Sequence, residues 1–131
     1  MDNSQKILIV DDDAHVLGLC AQILTQEGFS VVKASCGTEA LKKIKDERPD
    51  FLIVDLILPD MNGAEIVQDA RTKYACQSPV IFLTGMITKK EEEINNIQLK
   101  VKSQNYPAIA KPFDRVKFVE LVKNEIKKVK K

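Results

Sequence analysis

Residues 51 to 63 read FLIVDLILPDMNG: four apolar residues without a break, then a carboxylate and a loop carrying Pro59 and Gly63. A half-exposed strand alternates apolar with polar, whereas an unbroken run of this length fits a strand covered on both faces, as in a parallel sheet. ILIV at 7 to 10 and VIFL at 80 to 83 have the same character, and Phe29 to Ala34 and Ala108 to Ala110 are two more stretches of strand length. Between them lie segments with apolar residues three and four apart, such as Val16, Leu17, Cys20 and Leu24, then Ala40, Leu41 and Ile44. Gly28 is suited to end the first helix in a left-handed conformation, and Pro49 and Pro79 stand before the third and fourth strands. Thr88 to Asn105 is long and polar, with Ile94, Ile97 and Val101 at helical spacing, and reads as a fourth helix followed by a longer connection. Phe113 to Lys131 places Val116, Val119, Val122 and Ile126 on one stripe and reads as a packed final helix. The order is βαβαβαβαβα, an α/β domain whose right-handed crossovers put helices on both faces of one five-stranded parallel sheet.

With 131 residues the chain has room for one domain, since domains run to roughly 150 residues. We expect a single domain over 1–131 with its core from about residue 6 to about residue 127 and a short basic tail. Hydrophobic residues at 44% and charged residues at 30% exclude disordered and fibrous classes. A net charge of +1 supplies no global field toward nucleic acid or anionic lipid. Apolar runs fall far short of the roughly 20 residues that span a bilayer, and the N-terminus has no signal-peptide pattern, so a cytoplasmic location with no membrane partner is expected. Cys20, Cys36 and Cys76 are widely spaced beside a single His, which suits reduced, packed thiols better than a disulfide framework or a zinc site. From Lys111 onward seven Lys and one Arg face only Asp114, Glu120 and Glu125, the composition of a solvated basic end.

Ligands of open parallel α/β sheets bind outside the carboxyl ends of the strands, so the residue just past each run is the informative one. Those residues are Asp11, Asp12 and Asp13 after the first strand, Asp55 after the third, Thr84 and Gly85 at the fourth, and Lys111 with Pro112 at the fifth. Carboxylates converging on one rim repel one another unless a cation shares the site. Oxygen ligands without His or Cys suit Mg²⁺, which takes few protein carboxylates and keeps room for a phosphate. A carboxylate can also act as nucleophile toward a phosphoryl group, with an ammonium such as Lys111 and a hydroxyl such as Thr84 to meet its oxygens and the small Gly85 leaving space. Asp13 stands where a helix N-cap is needed, and His15 falls in the first turn of that helix, without the partners catalysis would require.

In this order and spacing ILIVDDD, FLIVDLILPDMNG, PVIFLTG and AKPF resemble the receiver domains of two-component response regulators, over essentially the whole chain. The resemblance implies a flavodoxin-like, doubly wound fold with strand order 2-1-3-4-5 and five helices. It implies that Asp55 is the phosphoacceptor, Asp12 a direct Mg²⁺ ligand, Asp11 its water-linked partner, and the backbone carbonyl of Ile57 a further ligand. Thr84 would be the switch hydroxyl and Lys111 the phosphate-binding lysine. The phosphoryl donor would be a histidine kinase or a histidine phosphotransfer protein, as in single-domain chemotaxis and phosphorelay receivers. Output would pass to a partner protein through the face of the fourth helix, fifth strand and fifth helix. Such a chain is a switch, not a turnover enzyme.

Taken singly, each of these residues also has an ordinary explanation: Asp55 as a turn residue, Thr84 as a β-branched strand end, Lys111 as a surface charge. Two other classes stand beside the receiver reading. One is an interaction module of receiver shape that is never phosphorylated. The other is a phosphohydrolase with an aspartyl nucleophile, suggested by Asp-x-Asp after the first strand, although His15 stands where that pattern wants Thr and there is no space for a cap. Receivers usually have an aromatic residue three positions before the lysine, and here that position is Ala108. Tyr106, two residues earlier, shares its face only if the strand runs regularly through Pro107. Ile57 and Met86, two beyond the acceptor and two beyond Thr84, cannot hydrogen-bond an attacking water strongly, so slow loss of the phosphoryl group is expected.

Overall fold

The computed structural model describes residues 5–84, 98–101, 104–111 and 114–129. Strands β1 (Lys6–Val10), β2 (Ser30–Ala34), β3 (Phe51–Asp55), β4 (Val80–Thr84), β5 (Gln98–Val101) and β6 (Gln104–Ala110) form one sheet in the order β2-β1-β3-β4-β6-β5. Its first five positions are parallel pairs, so the expected order 2-1-3-4-5 is present, with β6 as the fifth parallel strand. Among the described residues the helices are α1 (Ala14–Gln26), α2 (Gly37–Glu47), α3 (Gly63–Lys73) and α4 (Arg115–Val129). None is long and apolar enough to cross a membrane.

The continuous apolar runs behave as their sequence requires. Ile7 to Val10, Phe51 to Val54 and Val80 to Leu83 are buried along their whole length because both sheet faces are covered. Alternate residues feed two cores. Leu8, Val10, Leu52, Val54 and Phe82 pack with Ala40 and Ile44 of α2 and Ile66 and Ala70 of α3. Ile7, Ile9, Phe51, Ile53, Ile81 and Leu83 pack with Cys20 and Leu24 of α1 and Phe118 and Val122 of α4. Asp13 is the N-cap of α1 as expected, accepting from the backbone N–H groups of His15 and Val16, and the His15 side chain is exposed. Gly28, just beyond that helix, has a φ of 96°, which a side chain would oppose.

Three expectations are corrected. Val101 is not on a helix: Gln98–Val101 pairs antiparallel with Gln104–Pro107, adding a sixth strand at the edge, while Ile94 and Ile97 lie outside the described residues. Leu99 and Val101 are two apart, the period of a strand, and spacing from Ile97 alone could not distinguish the two periods. The fifth parallel strand begins at Gln104, earlier than Ala108, since Pro107 pairs only with β5 and parallel pairing with β4 starts at Ala108, so its missing N–H costs no ladder bond to β4. In α4, Val116 is 60% exposed and Phe118 is fully buried. The larger aromatic side chain takes the core position, where more apolar area leaves water.

Candidate functional site

The sheet register builds the site. Val10 pairs with Val54, so Asp11 follows β1 beside Asp55 at the end of β3, and Asp55 pairs with Leu83 next to Thr84. Thr84 pairs with Ala110, and the Lys111 N–H donates to the Thr84 carbonyl at 2.9 Å, tying the ends of β4 and β6 together. Four strands therefore deliver residues to one rim, Asp55 and Thr84 as the last of β3 and β4 and Asp11 and Lys111 as the first beyond β1 and β6.

Asp11 is fully buried, Asp55 and Thr84 nearly so, and Asp12 is exposed. The Lys111 ammonium reaches across the rim and donates to Asp11 Oδ2 at 2.9 Å and Asp55 Oδ2 at 3.1 Å. The second oxygens are also used: Asp11 Oδ1 accepts from the Asp13 N–H at 2.9 Å and Asp55 Oδ1 from the Ile57 N–H at 3.2 Å. Among the described residues no buried side-chain N or O lacks a hydrogen-bond partner, so the charges at this rim are compensated by geometry and not by water alone.

Burial pushes the Asp55 carboxyl above its ordinary value, and the Asp11 charge adds to that, while the Ile57 N–H and Lys111 oppose it. Burial pulls Lys111 down, but its hydrogen bonds and attraction to Asp11 and Asp55 outweigh this and hold it above its ordinary value. The shared charge element is Asp11, whose negative charge raises both groups, while burial acts on them in opposite directions. Cys20, beneath it, is pushed up to about 12 by burial and by Asp11, which makes it an inert packed thiol.

Carboxylate oxygens of Asp11, Asp12 and Asp55 lie within 4.8 Å of one another, a group able to hold a metal ion. Three carboxylates and one ammonium leave two negative charges, the complement of a divalent cation, and the all-oxygen donor set suits Mg²⁺. The expected residues thus come together: Asp11, Asp12, Asp55, Thr84 and Lys111 share the rim, with Ile57 in the loop beside it, its side chain 59% exposed. Gly85, Met86 and Pro112 lie outside the described residues.

The loop from Asp55 to α3 is closed on itself. Ile57 and Asn62 form an isolated bridge, the Gly63 N–H donates to the Leu56 carbonyl at 2.8 Å, and Asn62 and Glu65 form a reciprocal capping box. A Cβ on Gly63 would sit 2.5 Å from the Asp55 carbonyl oxygen, so only glycine permits this approach. Sequence reading missed Asp60. Its carboxylate accepts from the Gly37 N–H at 2.7 Å, the Thr38 N–H at 2.9 Å and the Thr38 hydroxyl at 2.8 Å, fastening the loop to the start of α2. Cys36, the local N-cap of α2, makes no side-chain capping bond, and that unfilled place was the one signal in the sequence.

Residues 7–123 match the response regulator receiver domain. The alkaline phosphatase synthesis transcriptional regulatory protein PhoP of Bacillus subtilis (strain 168) is 35% identical over 111 residues, 84% of this chain and 43% of that protein. Regulatory protein VanRc of Enterococcus gallinarum is 32% identical over 126 residues, 95% of this chain and 51% of that protein. The chain spans about half the length of these curated relatives. Among solved structures, a CheY-like response regulator receiver domain protein from Methanospirillum hungatei JF-1 superposes with a TM-score of 0.80 at 29% identity, covering 96% of each chain. A two-component response regulator from Clostridium difficile, at 22% identity and a TM-score of 0.80 over 98% of this chain and 100% of that one, adds the fold alone. With the match running from β1 into α4, across every strand that contributes to the rim, the chain belongs to the response regulator receiver domain family.

Proposed function

We propose that Asp55 accepts a phosphoryl group from a histidine kinase or a histidine phosphotransfer protein, with Mg²⁺ bound beside it, and that the added charge switches binding of a partner. The observation that carries this reading is the Lys111 ammonium within hydrogen-bond reach of both buried carboxylates, a cation already placed for a third anionic group. Asp11 and Asp12, with Asp55 and the Ile57 carbonyl, are the residues that would hold Mg²⁺. When bound, the ion neutralises charge on the carboxylates and on the incoming phosphoryl oxygens. An Asp55 carboxylate oxygen forms the P–O bond as the P–N bond to the donor imidazole breaks, and the leaving nitrogen keeps the electron pair and takes a proton from solvent. Lys111 meets one phosphoryl oxygen and the Thr84 hydroxyl another, which biases the ends of β4 and β6 between two arrangements.

On this reading the chain is a cytoplasmic switch and not a turnover enzyme, its folded unit runs from about residue 6 to about residue 127, and it needs no nucleic acid or membrane of its own. The output partner would dock on the face that includes β6 and α4. Intact mass after incubation with Mg²⁺ and acetyl phosphate tests the chemistry. One phosphoryl group gained by the wild type, dependent on Mg²⁺ and absent in Asp55→Asn, supports the proposal. A folded protein that gains no adduct is an unphosphorylated interaction module, and sustained turnover of a simple phosphate monoester makes it a phosphohydrolase.

A further inference from the structure

The geometry points to Asp60 as a positioning residue for the phosphoacceptor site: by capping α2 from the tip of the β3–α3 loop, it holds Ile57 where the loop can serve Asp55 and the ion. The inference rests on the proposed function for the purpose of the loop, and on the structure for the linkage. Contacts at its start, base and tip hold the loop from 56 to 62. At its start the Ile57 N–H donates to Asp55 Oδ1, at its base Ile57 bridges to Asn62, and at its tip Asp60 bonds to two N–H groups and one hydroxyl of Gly37 and Thr38. The start of the loop is also held from the sheet, where the Leu56 N–H donates to the Leu83 carbonyl of β4 at 3.0 Å and Leu58 is buried in the core. Asp60 is the residue whose side chain ties the tip to α2.

The tie has signs of close fit on both sides. On the α2 side, a Cβ added to Gly37 would run into the Met61 side chain, so Gly37 and the loop tip approach as closely as a glycine allows. Cys36 leaves the first N–H groups of α2 without a local side-chain acceptor, and Asp60, from 23 residues away, fills that place with an anion at the positive end of the helix. On the loop side, Ile57 is three residues from Asp60 and its side chain is 59% exposed, so packing of that side chain does little to fix its backbone. Leu56 and buried Leu58 anchor the segment from the sheet side, so removing the Asp60 carboxylate loosens it from the α2 side, and with it the Ile57 N–H that orders Asp55 and the carbonyl that is the proposed ion ligand. Groups that orient a metal ligand without touching the metal typically change metal affinity by 10- to 100-fold when removed, and a backbone ligand held at one remove belongs at the lower end, about tenfold.

The test compares wild type with Asp60→Ala, Asp60→Asn and Thr38→Val, using Asp50→Ala as a control. Asp50 accepts from the Lys6 N–H at 2.8 Å, at the start of β1, remote from the carboxyl-end rim. Melting curves establish that each variant folds. Mg²⁺ affinity is then measured by calorimetry, and hydrogen exchange of the Ile57 amide by NMR in ion-free buffer. The expected result is a roughly tenfold weaker Mg²⁺ affinity and faster Ile57 exchange in Asp60→Ala. A smaller change in the same direction is expected for Thr38→Val, and substantial rescue in Asp60→Asn, whose carbonyl can still accept from Gly37. Wild-type Mg²⁺ affinity and Ile57 exchange in Asp60→Ala, with only the melting temperature lowered as in Asp50→Ala, would overturn the proposal and leave Asp60 a helix cap. If wild type binds no Mg²⁺, the phosphoacceptor reading falls, and the ion-free Ile57 exchange decides the linkage by itself.

Discussion

Replacing Asp55 with Asn should make the ion-free protein more stable, although it removes the proposed phosphoacceptor. Carboxylate oxygens of Asp11, Asp12 and Asp55 lie within 4.8 Å of one another, and at an effective dielectric of about 20 each pair repels by roughly 3.5 kcal/mol. The Lys111 ammonium, 3.1 Å from Asp55, returns roughly 5 kcal/mol on the same scale, less than the two repulsions that Asp55 feels together. Solvent screening of the exposed Asp12 reduces the difference, while burial of Asp55 adds to it. About 1–2 kcal/mol is a reasonable net relief on neutralisation, equivalent to about 4–8 °C in Tm for a chain of this size. The sign follows from the pKa. Asp55 is raised on folding, so its contribution to stability is intact below the ordinary carboxylate value of 3.8 and is lost as pH rises through the folded-state value. The advantage of Asp55→Asn should therefore be absent below pH 3.8 and grow as pH rises through the folded-state value. Mg²⁺ reverses the ranking: at a hundred times its Kd it adds about 2.7 kcal/mol, or about 10 °C, to the wild type, and much less to the variant. Scanning calorimetry of both proteins in EDTA and in Mg²⁺, at several pH values, measures all of this. An Asp55→Asn protein that melts below wild type in EDTA at pH 7, or that keeps the full Mg²⁺ increment, would refute the electrostatic account of the rim.

Lys111→Ala should act in the opposite direction, because it leaves the fully buried Asp11 without its ammonium; a loss of about 2–4 kcal/mol, partly recovered by Mg²⁺, is expected from chemical denaturation. The raised pKa of Lys111 means that its contribution is fully present below the ordinary value of 10.5 and fades only as pH climbs through the still higher folded value, so the wild type should not show this loss at neutral pH. Gly63→Ala must push a methyl group to within 2.5 Å of the Asp55 carbonyl oxygen, and a destabilisation of about 1–3 kcal/mol with a shifted Asp55 amide resonance should follow. Ile57→Asn places an amide on an exposed loop position beside the acceptor, where it can orient water; phosphoryl loss followed by intact mass should quicken by about tenfold or more, and an unchanged rate would remove the side chain at 57 as a determinant of lifetime.

The rim was legible because each of its members directly follows an apolar run along the chain. Asp11, Asp55, Thr84 and Lys111 need only the strand ends and the rule that a parallel sheet aligns them, and the observed register then brings their polar groups together. Asp13 was legible for the same reason, a cap being a relation between neighbours. Asp60 was not, since its partners Gly37 and Thr38 lie 23 and 22 residues away and nothing local distinguishes it from a turn residue. The final helix shows how a periodic pattern can be read correctly as a helix and mistaken in its facing. Val116, Val119 and Val122 satisfy the three-four spacing as well as Phe118 and Val122 do, and only the sheet, by accepting the larger ring, separates the two stripes. Gln98 to Val101 was ambiguous in the same way, two periods fitting a few residues until the neighbouring strand chose one.

The substitution of Ala108 for an aromatic residue restricts how a signal can leave the rim. β6 runs regularly through Pro107, so Tyr106 and Ala108 do share a face, but Tyr106 is not poised at the surface. Its ring meets Phe82 edge-on at 5.7 Å, the Arg71 guanidinium of α3 lies 5.9 Å from the ring centroid, and Arg71 is itself held by the Cys76 carbonyl at 2.8 Å. Swinging Tyr106 out would forfeit an aromatic pair worth about 1 kcal/mol and a cation–π contact worth about 1 kcal/mol. It would also expose a large side chain whose burial contributes about 2 kcal/mol. A phosphoryl group forms one to three charge-assisted hydrogen bonds worth about 1.5–3 kcal/mol each, and some of that replaces bonds Lys111 already makes to Asp11 and Asp55. An aromatic swing would therefore cost an amount comparable to what the proposed phosphorylation would supply, and the methyl group of Ala108 has no rotation to offer. The route left among the described residues is the backbone at the strand ends. Thr84 is nearly fully buried, pairs with Ala110, and its carbonyl accepts from the Lys111 N–H, so a backbone shift of Thr84 or Lys111 toward the proposed phosphoryl group on Asp55 would move the β4 and β6 termini together.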